Sequence, residues 1–105
     1  FLDRHPLLLC PFLMMPTYRW DYDVQDYDSF AHWLDAARWS FGINYLGLPA
    51  GVLGTGLVEG LPAGVQLVGQ RWREDLICDA LEAVEARNGV LAHQLWAREG
   101  VVTAN

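Results

Sequence analysis

Apolar and polar residues fall in blocks along the chain, and the period inside each block predicts its element. Leu7 to Leu13 is a continuous apolar run between Pro6 and Pro16. That is the pattern of a strand covered on both faces of a mixed or parallel sheet, with Pro11 marking its end or a break. Thr17 to Ser29 has no apolar period, and its four Asp, three Tyr and one Trp predict an exposed loop with an acidic, aromatic surface, longer than a passive connection needs. Phe30, Trp33, Leu34, Ala37 and Phe41 recur at i, i+3, i+4, i+7 and i+11. This is the stripe of an amphipathic helix, with Asp28 or Ser29 as N-cap and Gly42 as terminator.

Leu48 to Leu53 and Ala63 to Val68 predict two strands of a long hairpin whose connection holds Gly54, Gly56, Gly60 and Pro62. The hexapeptide GLPAGV occurs twice, at 47–52 and 60–65, too few copies for a solenoid. Glu74 and Asp75 open the last clear helix with charge that suits its dipole. Leu76, Ile77, Ala80, Leu81 and Val84 form its inner face, and Asn88-Gly89 closes it. Val90 to Trp96 fits either a short strand or a docked tail. The elements give an α/β class, part of a mixed β-sheet flanked by helices, and 105 residues hold one domain or a fragment of one.

Composition narrows the partners. Seven Arg, no Lys and thirteen acids leave a net charge of −6, the wrong sign for binding phosphates, so neither nucleic acid nor an anionic membrane surface is expected as a partner. The longest apolar stretch is about half of the roughly 20 residues a bilayer span needs. With 52% hydrophobic and 19% charged residues, the chain is far from the disordered class and should fold, alone or within something larger. Cys10 and Cys78 both sit in apolar runs and read as small buried hydrophobes in a reducing cytoplasm. The chain opens Phe-Leu-Asp-Arg with nothing like a signal or transit peptide, and it reads as a piece of a longer protein.

Residue chemistry alone yields no catalytic constellation. His5, His32 and His93 are scattered, with no i, i+4 pair and no Cys at ligand spacing, so no metal and no cofactor is expected. Asp21, Asp23, Asp26 and Asp28 lack the central Gly and trailing Glu of a calcium loop. Gly54 and Gly56 lack the third Gly of a dinucleotide fingerprint, and no Gly-Lys-Ser/Thr follows them. The candidate nucleophiles are Ser29, Ser40, Thr17, Thr55, Thr103 and the two Cys, and neither Ser stands in a tight strand-to-helix elbow.

The order of short motifs carries more. Asn44-Tyr-Leu-Gly-Leu-Pro-Ala50 resembles the Asn-x-x-Gly-x-Pro-Ala of the amidase signature family. Gly60-Leu-Pro-Ala-Gly-Val-Gln-Leu-Val-Gly69 resembles its Gly-Leu-Pro-x-Gly-x-Gln-Leu-Val-Gly strand, with Arg71, Trp72 and Glu74 where the family places a basic or aromatic run followed by Glu. The helix from Leu76 to Glu85 is similar to the one that closes the family's fold. Leu7-Leu-Leu-Cys-Pro11 is similar to its buried Asp-x-Leu-Leu-Thr-Pro strand. Gly54 stands where most members have Pro, Cys10 replaces Thr and Pro6 replaces Asp.

The resemblance implies the C-terminal portion of an amidase signature fold. It further implies a serine-dependent amidase that hydrolyses carbon–nitrogen bonds, with a Ser nucleophile activated through a second Ser by a Lys, and backbone N–H groups as oxyanion hole. This chain has no Lys, and neither Ser lies in a Gly- and Ser-rich motif, so the catalytic residues are expected outside it. The family's helix before the Asn-x-x-Gly-x-Pro-Ala motif lines the acyl side of the pocket, which here implies Leu34, Ala37, Arg38 and Phe41 as substrate-binding residues for a small-molecule amide. Arg38 would take a substrate carboxylate if it turns inward, or pair with Asp35 if it does not. Two alternatives stand beside this reading. One is the amidotransferase subunit that releases ammonia from glutamine for tRNA-linked amidation; the other is a non-catalytic interaction module. Open strand edges predict self-association or pairing with the missing N-terminal portion.

Overall fold

The computed structural model describes residues 1–100. In chain order these form β1 (Leu7–Cys10), a 3-10 turn (Tyr22–Val24), α1 (Tyr27–Ala36), α2 (Arg38–Leu46), β2 (Ala50–Val58), β3 (Leu61–Gly69), α3 (Glu74–Asn88) and α4 (Leu91–Arg98). The strands make one sheet in the order β1-β3-β2. The expected α/β class holds, and both pairings are antiparallel: Leu7 faces Gly69 through to Cys10 facing Gln66, and Ala50 faces Val68 through to Val58 facing Leu61.

Alternation along β3 sends successive side chains to opposite faces, and each face meets a helix. On one face Val68, fully buried, clusters with Cys10, Leu8, Leu48 and Ile43 of α2. On the other, α3 lays Ile77 and Leu81 over Gly51. Ile77 is the buried centre of the inner face expected for this helix, with Leu76, Ala80, Leu81 and Val84 half-buried around it. Arg98 in the last turn of α4 donates Nη1–H to the Gly60 carbonyl at 2.6 Å, fastening that helix to the hairpin tip.

Several expectations are revised. One holds: β1 ends at Cys10, the stop expected at Pro11, which removes a donor. Its Leu9 is 62% exposed rather than covered, because α3 lies over β2 and β3 and leaves this edge open. The single helix expected over 30–41 is two, separated at Ala37 (φ −87°, ψ 4°), and the first begins earlier because Asp26 is its cap, accepting from the Ser29 N–H at 2.7 Å. Gly42 does not terminate but sits inside α2. The stop is Gly47 at φ 63°, a left-handed conformation that glycine takes without strain. There the Gly47 N–H bonds the Asn44 carbonyl and the Leu48 N–H bonds that of Ile43, a Schellman ending.

The hairpin strands run further than expected. Gly54, Gly56 and Pro62 lie in the ladder, with a bulge between Gly54 and Gly56, and the connection shrinks to Glu59-Gly60, both at positive φ, as a two-residue hairpin turn requires. Pro62 is tolerated in the central strand because β1 pairs only with Gln66 to Gly69. Residues 91–98 are a helix, neither strand nor tail. Cys10 is buried as expected, but Cys78 is exposed, one position past Ile77 and turned off the sheet.

The bulge generates a test. A Cβ on Gly64 would strike the Leu53 carbonyl, a backbone atom that has nowhere to go, whereas one on Gly56 meets no atom within 4 Å. Gly64→Ala is therefore expected to lose about 1–3 kcal/mol by overpacking and Gly56→Ala clearly less, a ranking that urea denaturation of the two variants checks.

Candidate functional site

The junction of α1 and α2 is seated on the chain that follows β1. The Met14 N–H donates to the Ala36 carbonyl at 2.9 Å, and Ser40 donates its hydroxyl to the Phe12 carbonyl at 2.8 Å. Ala36 and Ala37 are consequently buried. The rest of the apolar stripe is not. Phe30, Leu34 and Phe41 are each 43–44% exposed, so the stripe forms an open wall rather than this chain's core.

The wall is aromatic and ordered. Trp33 meets Phe41 edge-to-face with centroids 5.7 Å apart, and Phe30 lies 6.1 Å from Trp33. Trp33 donates Nε1–H to the Tyr18 hydroxyl at 3.0 Å, and Tyr22 Oη shares a 2.8 Å hydrogen bond with His32 Nδ1. The segment from Thr17 to Asp26 is exposed as expected, yet these two bonds tie it to α1. Thr17 adds a third tie, donating to the Pro62 carbonyl at 2.8 Å.

Of the residues singled out from the sequence, Phe41 stands on this wall, Leu34 is exposed one turn beyond Phe30, and Ala37 is sealed at the junction. Arg38 turns to its own helix surface. Its Nη2 lies 3.1 Å from Asp35 Oδ2 and its Nε–H bonds the Asp35 carbonyl, with both side chains about two-thirds exposed (63% and 67%). Arg38 also edges a shallow cleft of about 500 Å³ with Met14, Trp39, Ile43 and Leu46. A larger cleft of about 820 Å³ shares Trp39, Ile43 and Leu46 with it and extends to Leu8, Leu48 and Val68, rimmed by Asp3, Gln70 and Arg71. Tyr18 and Arg71 were not foreseen here; Tyr18 gave no signal because it reaches Trp33 across a loop of no fixed period, whereas Phe30 and Trp33 were legible from their i, i+3 spacing.

These groups present a flat apolar surface, and three of the candidate nucleophiles are already engaged. Ser40 is committed to a backbone carbonyl, Thr17 likewise, and Cys10 is buried against Gln66, whose Nε2 donates to its Sγ at 3.4 Å. Thr103 lies outside the described residues. Among the described residues no three His, Cys, Asp or Glu gather as a metal site, and no helix is long and apolar enough to cross a membrane.

The chain is 43% identical over 98 residues to an indoleacetamide hydrolase of Bradyrhizobium japonicum, an alignment that covers 91% of this chain and 21% of that protein. The corresponding protein of Bradyrhizobium diazoefficiens matches at 43%, with 18% of its length covered. One subunit of the glutamyl-tRNA(Gln) amidotransferase of Streptococcus mutans is 41% identical over 83 residues, which covers 79% of this chain and 16% of that protein. The chain thus spans about a fifth or less of the length of the curated relatives it matches. No family model and no solved structure matches it.

The cap that starts α1 is pH-sensitive. The Ser29 amide, bonded to Asp26, holds that carboxyl below its ordinary value of 3.8. A folded-state value lowered in this way adds stability above the unfolded pKa, and the contribution is lost as pH falls through the folded one. Helix content followed by circular dichroism below pH 4 should therefore drop less steeply in Asp26→Asn than in the parent, since the amide keeps an acceptor for Ser29 without a charge to lose.

Proposed function

Because the chain belongs to the amidase signature family, we propose that it is the substrate-selecting, C-terminal part of a serine-dependent amidase, with α1 and α2 walling the acyl side of the site. The carrying observation is the ordered aromatic wall of Phe30, Trp33 and Phe41, left open by this chain. Edge and face of these rings suit a planar aromatic group, and indoleacetamide, the amide named in two relatives, carries one. The nucleophile, its base and the oxyanion donors come from the longer protein, since this chain has no Lys. Arg38, held only by an exposed pair with Asp35, sits at the wall's edge and gives up little by turning to a carboxylate on a substrate.

The same reading assigns the open wall and sheet edges to contacts with the rest of the parent protein. The radius of gyration is 15.8 Å, against roughly 13 Å for a self-contained domain of this length. The extents of 44 × 44 × 19 Å describe a slab. Isolated, such a slab self-associates to cover its apolar surface. We place the protein in the cytoplasm, as the few unpaired cysteines suggest. A second reading, the glutamine-hydrolysing component of a tRNA amidotransferase, is favoured by the 41% identity to one subunit of such an enzyme.

The full-length protein should hydrolyse indoleacetamide without partner subunits, and the 105-residue chain alone should not. In the full-length enzyme Phe41→Ala is expected to raise KM for indoleacetamide about tenfold, the worth of a partly buried aromatic contact, with little change for acetamide. Ammonia release from glutamine, appearing only with added partner subunits, would establish the second reading instead. Arg38→Ala should impair acidic amides more than neutral ones; equal, small effects on both would leave Arg38 a surface charge.

A further inference from the structure

We propose that Arg71 is a positioning residue that sets the seat of α2, and through it the aromatic wall and the selectivity of the site. The inference rests on the amidase reading above for its effect on substrate, but its structural half stands apart from that reading.

Helix α2 has only nine residues and touches the rest of the chain at few places. Ser40 bonds the Phe12 carbonyl near its start, Ile43 enters the cluster around Val68 in its middle, and Arg71 holds its end. The Arg71 fork spans two successive carbonyls, Nη2–H donating to Leu46 at 2.6 Å and Nε–H to Gly47 at 3.2 Å. The last carbonyls of a helix have no partners within it, and a cation there also meets the negative end of the helix dipole. With the Gly47 and Leu48 amides already closing Asn44 and Ile43, Arg71 supplies a partner for Leu46. Among the described residues it forms no ion pair with a carboxylate, so its charge is directed at the helix end.

The loop that presents Arg71 is itself constrained. Gln70 to Arg73 closes a tight turn through a 3.2 Å bond from the Arg73 N–H to the Gln70 carbonyl. The residue after Arg71 is Trp72, at φ 67° and 87% exposed. A bulky residue in the left-handed region is strained, and strain of this kind persists only where the surroundings fix the backbone. Trp72 buries almost nothing that offsets it; the bonds made by its neighbour Arg71 do. The turn thus belongs to the device that joins the end of β3, on which Gly69 is the last residue, to the end of α2.

Without the fork, the end of α2 beyond Ile43 loses its hold, and the helix, kept only by Ser40 and Ile43, tilts enough to disturb the edge-to-face contact of Phe41, between those two anchors, with Trp33. In the full-length enzyme, normalised to active sites titrated with a fluorophosphonate, Arg71→Ala is expected to raise KM for indoleacetamide about tenfold. Its kcat should stay within about twofold, and acetamide turnover should be unchanged. Arg71→Lys should recover only part of the loss, because one ammonium cannot span two carbonyls in the fixed geometry of a guanidinium. Equal losses on both substrates, or full rescue by Lys, would overturn the positioning role. Hydrogen exchange of the Gly47 and Leu48 amides gives a readout independent of turnover: both should exchange at least tenfold faster in Arg71→Ala while Val68 is unchanged. If the wild-type protein cleaves no amide yet these amides accelerate, the amidase reading fails and the seat stands. If they do not accelerate, the proposal fails whatever the activity.

Discussion

The structure depends on four residues of one strand. From Gln66 to Gly69, β3 is buried along its whole length, flanked by β1 on one side and β2 on the other, with α2 below and α3 above. Everywhere else the sheet is covered on fewer sides. A strand so enclosed fixes register on both neighbours, because a slip by one residue would carry Val68 from the α2 face to the α3 face and reverse every side chain after it. Gln66, among the described residues the one buried polar side chain, donates its amide to a thiol, so the side chains of this run are held by packing while its backbone is held by both ladders. The placement of α2, and with it the aromatic wall, is inherited from that register through Ile43.

What was legible from the sequence was the periodic part. The inner face of α3 appeared from its spacing and was found there, and the hairpin was recognised from two apolar runs. What failed were the punctuation residues. By sequence Gly54, Gly56 and Pro62 read as a loop because breakers usually mark one, but two of them flank a bulge and the third sits beside an unpaired edge. Gly42 stood first in line as a terminator and hid Gly47, whose left-handed backbone no local pattern announces. The break at Ala37 has no glycine or proline to signal it. Residues 91–98 were too short a window for their period to stand out, and no side chain caps their start.

The wall shows a different limit. Spacing places Phe30, Leu34, Ala37 and Phe41 on one stripe of one helix, but the break at Ala37 divides them between α1 and α2. Spacing cannot say what the stripe faces, and this chain leaves Phe30, Leu34 and Phe41 partly open. Only Ala37 is enclosed from within. Tyr18 and Arg71 reach the helices from loops distant in sequence, where neither period nor propensity links them to their partners.

The strand pairings also order the assembly of the chain in time. β2 and β3 are joined by a two-residue turn and can zip from Glu59-Gly60 outward, whereas β1 must find Gln66 to Gly69 across more than half of the sequence. Closing so long a loop is slow relative to local contacts, so the hairpin forms first and the N-terminal strand docks afterwards on a template already made. During synthesis the reverse holds for availability: β1 leaves the ribosome well before β3 and waits for this partner until Gly69 has emerged. The Pro11 that ends β1 after four residues keeps this waiting edge short, which limits the time-dependent hazard of a strand made long before its complement.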